Sequence, residues 1–329
     1  MSRYHSEILR WIVLIVVGVL ANAVLSVPAG AADYPQKGKT IKILLGYAAG
    51  GASDTGARIL AGGLEKELGT PVVVVNKPGA SSQLAYTELF RSQPDGYTIG
   101  KVIFPGMIGS YLDPARKAVY TRQGFQPLAL HVLDPGVFAV KADSPFRTMK
   151  DVIAAAKAAP EKVTITTTGL KTHEHFAVLM LQKAAGVKFA MVHFKGAAPA
   201  ITAVLGGKID VECDNVGDLL PHVKSGSMRI LGVMDHQENQ FLPGVKTLEA
   251  QGYKIYSAAS RGFAAPKGTP KEIVEILSGA IKKVVATEDH KKKMADMGLT
   301  LRYMDQDQYA KYWEESEKLL AELLPLTQE

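Results

Sequence analysis

The chain has a single cysteine, Cys213, among 329 residues. No intramolecular disulfide can form, and a structural zinc cluster lacks its usual ligands. Dense basic runs are also missing. The 38 Lys and Arg are scattered among 32 Asp and Glu for a net charge of +6, unlike the stripes that follow a phosphate backbone, so nucleic acid is not an expected partner. The first glycine-rich loop, Gly46 to Asp54, has no Gly-Lys-Ser/Thr ending and its glycines do not fall as Gly-x-Gly-x-x-Gly, and no Gly-x-Ser-x-Gly elbow appears. Nucleotide phosphates and serine hydrolysis therefore find no support. What is present is ordinary: 47% hydrophobic and 21% charged residues exclude a disordered or collagen-like chain, and the length predicts two domains.

The first thirty residues differ from the rest. Arg3 and Arg10 form a basic start, Trp11 to Ala21 is an apolar run shorter than a spanning helix needs, and Ala29-Gly30-Ala31 offers a small-residue cleavage site. This reads as a signal peptide over residues 1–32, predicting export to the periplasm. Its loss removes Arg3, Arg10 and Glu7, one net positive charge, so +6 becomes +5.

From Asp33 on, short β-branched runs alternate with amphipathic ones, the pattern of an α/β protein with helices on a largely parallel sheet. Strands are expected over 41–45, 71–75, 97–104, 163–167, 189–194, 209–211 and 229–233. Helices are expected from Ala57 to Leu68 with Gly69 as the stop, and over 83–91, 172–185 and 198–205. Thr148 and Asp151 have capping-box spacing before a helix that ends at Ala159-Pro160. Gly262 to Pro266 reads as a return crossing, Thr269-Pro270 opens a helix, and Tyr309 to Leu324 closes the chain.

Two strand-to-helix loops could carry chemistry. In Gly46-Tyr47-Ala48-Ala49-Gly50-Gly51-Ala52-Ser53-Asp54 the backbone amides converge on a helix N-terminus, which attracts anions; a tight turn capped by Ser53 or Asp54 is the alternative. The second is Thr167-Thr168-Gly169-Leu170-Lys171-Thr172-His173-Glu174-His175, with Thr172 as natural N-cap. His173 and His175 lie about 200° apart around a helix, which argues against a shared metal. No cofactor is expected, and no catalytic residue.

The motifs Tyr34-Pro35, Ala49-Gly50-Gly51 with Asp54, Asn76-Lys77-Pro78-Gly79-Ala80, Pro94-Asp95-Gly96-Tyr97-Thr98, His193 to Ala200, Gly206 to Asp210 and Ala265 to Pro270 occur in an order that strongly resembles the tripartite tricarboxylate transporter receptors, the Bug-type solute-binding proteins. The resemblance implies a two-lobed type II periplasmic binding protein, a Venus flytrap, with lobe 1 at 33–132 and 257–329 and lobe 2 at 133–256. It implies a monomer that closes on a small organic carboxylate and passes it to membrane permease subunits. A periplasmic sensor is the alternative reading, and a periplasmic hydrolase a third.

By the same resemblance, Ala48, Ala49, Gly50, Gly51 and Ser53 grip the ligand from one side and Gly169, Thr172 and His175 from the other. Ser81 and Ser82 stand where small glycines are usual and bring hydroxyls near the cleft. Lys171 replaces a usual glycine, either adding a cation to the site or reaching solvent. Asn215 is expected to reach the ligand, Asp218 less so because a carboxylate would repel it. Tyr47, Phe104 and Met107 form an apolar wall or pack in the core.

Overall fold

The computed structural model describes residues 34–194 and 196–328. The expected signal peptide and its cleavage site lie outside the described residues. The chain divides into a unit of residues 1–36 and one of 37–329, and the fold is that of the second.

Its elements run β1 (Ile41–Leu45), α1 (Ala52–Leu68), β2 (Val72–Asn76), α2 (Gln83–Arg91), β3 (Thr98–Phe104), α3 (Gly106–Leu112), β4 (Phe125–Lys141), α4 (Met149–Ala158), β5 (Thr164–Thr167), α5 (His173–Ala185), β6 (Ala190–His193), α6 (Ala197–Leu205), β7 (Glu212–Asn215), α7 (Val216–Lys224), β8 (Met228–Val233), β9 (Ala258–Pro266), α8 (Lys271–Ala286), α9 (Glu288–Asp296), β10 (Leu301–Met304) and α10 (Gln306–Leu323). Local signals set many of these ends. Gly69 and Gly186 close α1 and α5 in the left-handed conformation at φ 64° and 63°, which glycine adopts without a Cβ penalty. Both halves of the Thr148–Asp151 capping box form before α4, and Thr172 caps α5.

The expected largely parallel sheet is instead mixed. β1 pairs in parallel with β2 and β3, and β5 with β6, whereas β9 runs antiparallel to β3 and β4, and β4 antiparallel to β7, β8 and β10. The strand expected at 209–211 lies further on, at Glu212–Asn215, with Val211 contributing a single bridge to Ile165.

The 17-residue β4 joins the two lobes. Phe125 to Pro135 pairs with β9 in the first sheet, and Gly136 to Lys141 with β7 and β8 in the second. On the second sheet its side chains alternate. Phe138 and Val140 face a core with Ile153, Ile165 and Leu181, while Val137 and Ala139 face Val204, Val216 and Leu219. That alternation is the period-two signature of a strand covered on both faces. The first lobe's core gathers Leu44, Leu89, Val102, Phe104, Tyr309 and Trp313. Gly136 sits at the junction, where an added Cβ would lie 2.8 Å from Met234 Sδ and 3.3 Å from the Ser257 carbonyl, so a larger residue would have to displace the Met234 side chain.

Candidate functional site

The two candidate loops both end in helix N-termini, α1 in the first lobe and α5 in the second, and the first-turn amides of any helix lack intrahelical acceptors. Ala48, Ala49, Gly50 and Gly51 are exposed at the start of α1. Asp54, buried, holds this loop: its carboxylate accepts from the Gly50 amide at 3.0 Å, from Arg58 Nε at 2.9 Å and from Asn76 Nδ2 at 2.9 Å, and Asn76 also donates to the Tyr47 carbonyl. Burial alone would raise the Asp54 pKa, but the bonds from Arg58, Gly50 and Asn76 outweigh it and hold the group at about 2. The aspartate thus organises the loop. It also takes the Gly50 amide, which is a correction to the expectation that Gly50 serves the ligand through that group. Ser53 offers its carbonyl to the buried Lys101 ammonium at 3.0 Å.

Ala80, Ser81 and Ser82 all have positive φ, 47°, 52° and 73°, a conformation that favours glycine, the residue that Ser81 and Ser82 replace. Ser82 is buried and donates to the Gly46 carbonyl at 3.0 Å; Ser81 is exposed and accepts from Arg116 at 3.0 Å. The Ser82 hydroxyl is therefore spent on the Gly46 turn. Phe104 belongs to the core instead of a cleft wall, 4.8 Å centroid to centroid from Trp313 and stacked on Tyr309, and Met107 is buried in the same cluster. Tyr47 as a residue is 42% exposed, while burial of its phenol, near Ser82, Glu174 and Arg261, raises its pKa.

In the second lobe, Thr167 and Thr172 hydroxyls both donate to the Gly169 carbonyl, and His175 Nδ1 accepts the Lys171 amide at 3.0 Å. That acceptor role leaves the neutral ring its proton on Nε2. Burial first, then the charges of His193 and Lys171, depress the His175 pKa to about 4. The Lys171 side chain crosses to the first lobe and pairs with Asp113 Oδ2 at 2.5 Å, so its ammonium neither reaches solvent freely nor stands ready for a ligand. Its φ of 60° keeps the backbone shape of the usual glycine.

His173 and His175 turn to different partners, as their helical spacing requires. His173 Nε2 lies 2.9 Å from Glu174 Oε1 and its Nδ1 3.2 Å from Ser257 Oγ. Among the described residues, no group of three His, Cys, Asp or Glu is arranged to hold a metal.

Two buried charged residues escaped the sequence reading: Asp134 and Arg261. Arg261 NH1 donates to Asp134 Oδ2 at 2.8 Å with both side chains buried, tying β9 to β4 at the junction between the sheets. The available signal was an isolated charge inside otherwise apolar strands. Asn215 lies here too, 5% exposed, its Nδ2 3.4 Å from both Asp214 and Asp218.

The family described as "Tripartite tricarboxylate transporter family receptor" matches residues 56–324. A relative from Cupriavidus necator, the "UPF0065 protein in gbd 5'region", is 33% identical over 93% of each chain. The periplasmic binding protein BugD superimposes with a TM-score of 0.76 at 28% identity, over 90% of this chain and 99% of its own. MatC of Rhodopseudomonas palustris, solved with bound malate, shares the fold with a TM-score of 0.76 at 23% identity, over 88% of this chain and 99% of its own. With the family matched over most of its length and the two-sheet fold in place, this chain belongs to the tripartite tricarboxylate transporter receptors of the Bug type, two-lobed periplasmic solute-binding proteins.

Proposed function

We propose that this protein captures a small organic carboxylate between its lobes in the periplasm and delivers it to a tripartite tricarboxylate-type permease. The observation that carries this reading is that the loops opening α1 and α5 both sit at helix N-termini, with the Tyr47 phenol of the first close to Glu174 in the first turn of α5. Positive helix ends favour a carboxylate and require no covalent step. We assign the grip to Tyr47, Ala48, Ala49, Gly51 and Ser53 on one side and to Gly169, Thr172 and His175 on the other. In this reading lobe 1 comprises 33–132 and 257–329, lobe 2 comprises 133–256, and residues 1–32 are the export signal. The malate held by a protein of the same fold is consistent with this ligand class.

Ligand contacts from both lobes favour the closed state, so binding energy is converted into a shape that the permease can recognise. The test is a thermal-shift screen of mono-, di- and tricarboxylates. A ligand at about 100 times its Kd stabilises the folded protein by about 2.7 kcal/mol, and no shift with any carboxylate would overturn the reading.

A further inference from the structure

Lys101 lies in the middle of β3, paired with Leu45 of β1 and Phe263 of β9, and is 1% exposed. Its side-chain nitrogen reaches under the first turn of α1. Nζ donates to the Ser53 carbonyl at 3.0 Å and stands 5.6 Å from the centre of the Phe263 ring. Gly56 leaves room for it: an added Cβ there would lie 3.5 Å from Nζ and 3.3 Å from Leu299 Cδ1. A glycine inside a helix is otherwise unfavourable.

Among the described residues no acid is paired with this nitrogen. Asp54 of α1 is the acid that attracts it, yet Asp54 is bonded to Arg58. Arg261 of β9 repels it and is itself paired with Asp134. His131 of β4 and His290 of α9 meet as a neutral pair within the field of Lys101, which helps to keep both rings uncharged. Burial first, then Arg261, hold the Lys101 pKa well below the ordinary lysine value, with Asp54 opposing. The positive end of α1, whose first turn the nitrogen contacts, acts in the same sense as Arg261. A carboxylate on the loop 48–53 acts in the opposite sense: it offsets the helix end and attracts an ammonium through a medium that transmits charge better than water.

We propose that Lys101 is a buried counter-charge for the ligand, a positioning residue that holds the α1 loop through Ser53 and takes up a proton from solvent as the carboxylate seats, so that the anion is captured together with a proton. This rests on the carboxylate reading above. The coupling is reciprocal: a ligand that favours the protonated lysine is bound more tightly when the lysine is protonated. Affinity therefore falls as pH rises through the Lys101 pKa of the ligated protein.

The test is calorimetry of the full mature protein between pH 6.5 and pH 9.5, in pairs of buffers with different ionisation enthalpies, against acetate, benzoate, succinate, malate, adipate and citrate. With the tightest binder, proton uptake should reach at least about 0.3 per ligand within this range, and Kd should weaken at least about threefold from pH 6.5 to pH 9.5. Lys101→Met removes both charge and tether; Lys101→Gln keeps a donor for Ser53 without the charge and provides a second variant should the first fail to fold. Each should bind at least about fivefold more weakly than wild type at pH 6.5, the gap should narrow at pH 9.5, and uptake should fall by about 0.3 proton. Glu212, raised by burial to about 8, titrates in the same range but is present in all three proteins, so the difference between them reads Lys101. If wild type and variants take up the same number of protons, or if the affinity gap is absent or constant with pH, the counter-charge assignment is overturned while carboxylate capture stands. If none of the six binds, the carboxylate reading falls with it.

Discussion

Lys171 Nζ and Asp113 Oδ2 meet at 2.5 Å, joining the loop before α5 in the second lobe to the segment after α3 in the first. The contact ties the two segments together, and the Asp113 carboxyl is held below its usual range chiefly by its hydrogen bond to Lys171. The lysine adopts a φ of 60°, where a residue with a Cβ is strained.

Substitution separates these two effects. Asp113→Asn should weaken ligand binding roughly fivefold, about 1 kcal/mol for a partly exposed pair, and should remove most of the salt dependence of affinity. Lys171→Gly should show the same loss of affinity yet be about 1 kcal/mol more stable to denaturant than Lys171→Ala, since glycine relieves the backbone. Calorimetry at two salt concentrations and urea unfolding provide the check. Equal stability of the glycine and alanine variants would contradict the strain argument.

Asp54 makes three hydrogen bonds that fix the loop before α1. Asp54→Ala should therefore cost about 2 to 4 kcal/mol of stability, given the strength of bonds to a charged acceptor. It should also weaken ligand binding, because the amides preceding α1 lose their fixed geometry. The folded pKa of about 2 is depressed, so this contribution is complete above the unfolded value near 4 and disappears as pH falls toward 2. Urea unfolding of both proteins at pH 7 and pH 3 tests it: the gap between them should narrow at pH 3.

Ala80, with φ of 47°, offers a stabilising change. Ala80→Gly should leave the hydrogen bonds of Ser81 and Ser82 intact and raise stability by up to about 1 kcal/mol, the left-handed penalty less the added chain entropy of glycine. The melting temperature reports it; a fall would mean that the turn tolerates alanine without strain.

Features encoded within a few residues were legible in the sequence. The limits of α2, the Thr148–Asp151 box, the Thr172 cap and the Gly69 stop follow from local chemistry, and each formed where that chemistry points. Strand direction has no such local code, so the antiparallel role of β9 was hidden. β4 was obscured because His131 and Asp134-Pro135-Gly136 interrupt its apolar pattern, and β7 because Glu-Cys-Asp-Asn reads as a polar turn. At the site, the two loops were visible from glycine content and position. The partners that consume their groups, Asp113 for Lys171 and Asp54 for Gly50, are set by tertiary approach, which spacing along the chain does not record.

His131 and His290 form a buried pair in the first lobe, their Nε2 atoms 2.9 Å apart, so one ring must donate and the other accept. Only neutral rings can do both. Burial first, then the charges of Lys101, the partner histidine and Arg261, push His131 well below its ordinary value. Burial is also the main cause holding His290 at about 4, with Asp289 opposing and Lys293 and Lys101 adding to the depression. Because the folded pKa values lie below the unfolded value near 6.5, the unfolded chain binds more protons in that window, and stability rises with pH there. The contribution is complete above about pH 6.5 and lost as pH falls toward 4, and the shift at His290 alone corresponds to about 3 kcal/mol. Urea unfolding between pH 7 and pH 4 should therefore show a steep loss of stability. In His290→Gln, whose amide donates to His131 without titrating, the slope should flatten although stability at pH 7 drops modestly. An unchanged slope in that variant would mean that the acid sensitivity arises elsewhere.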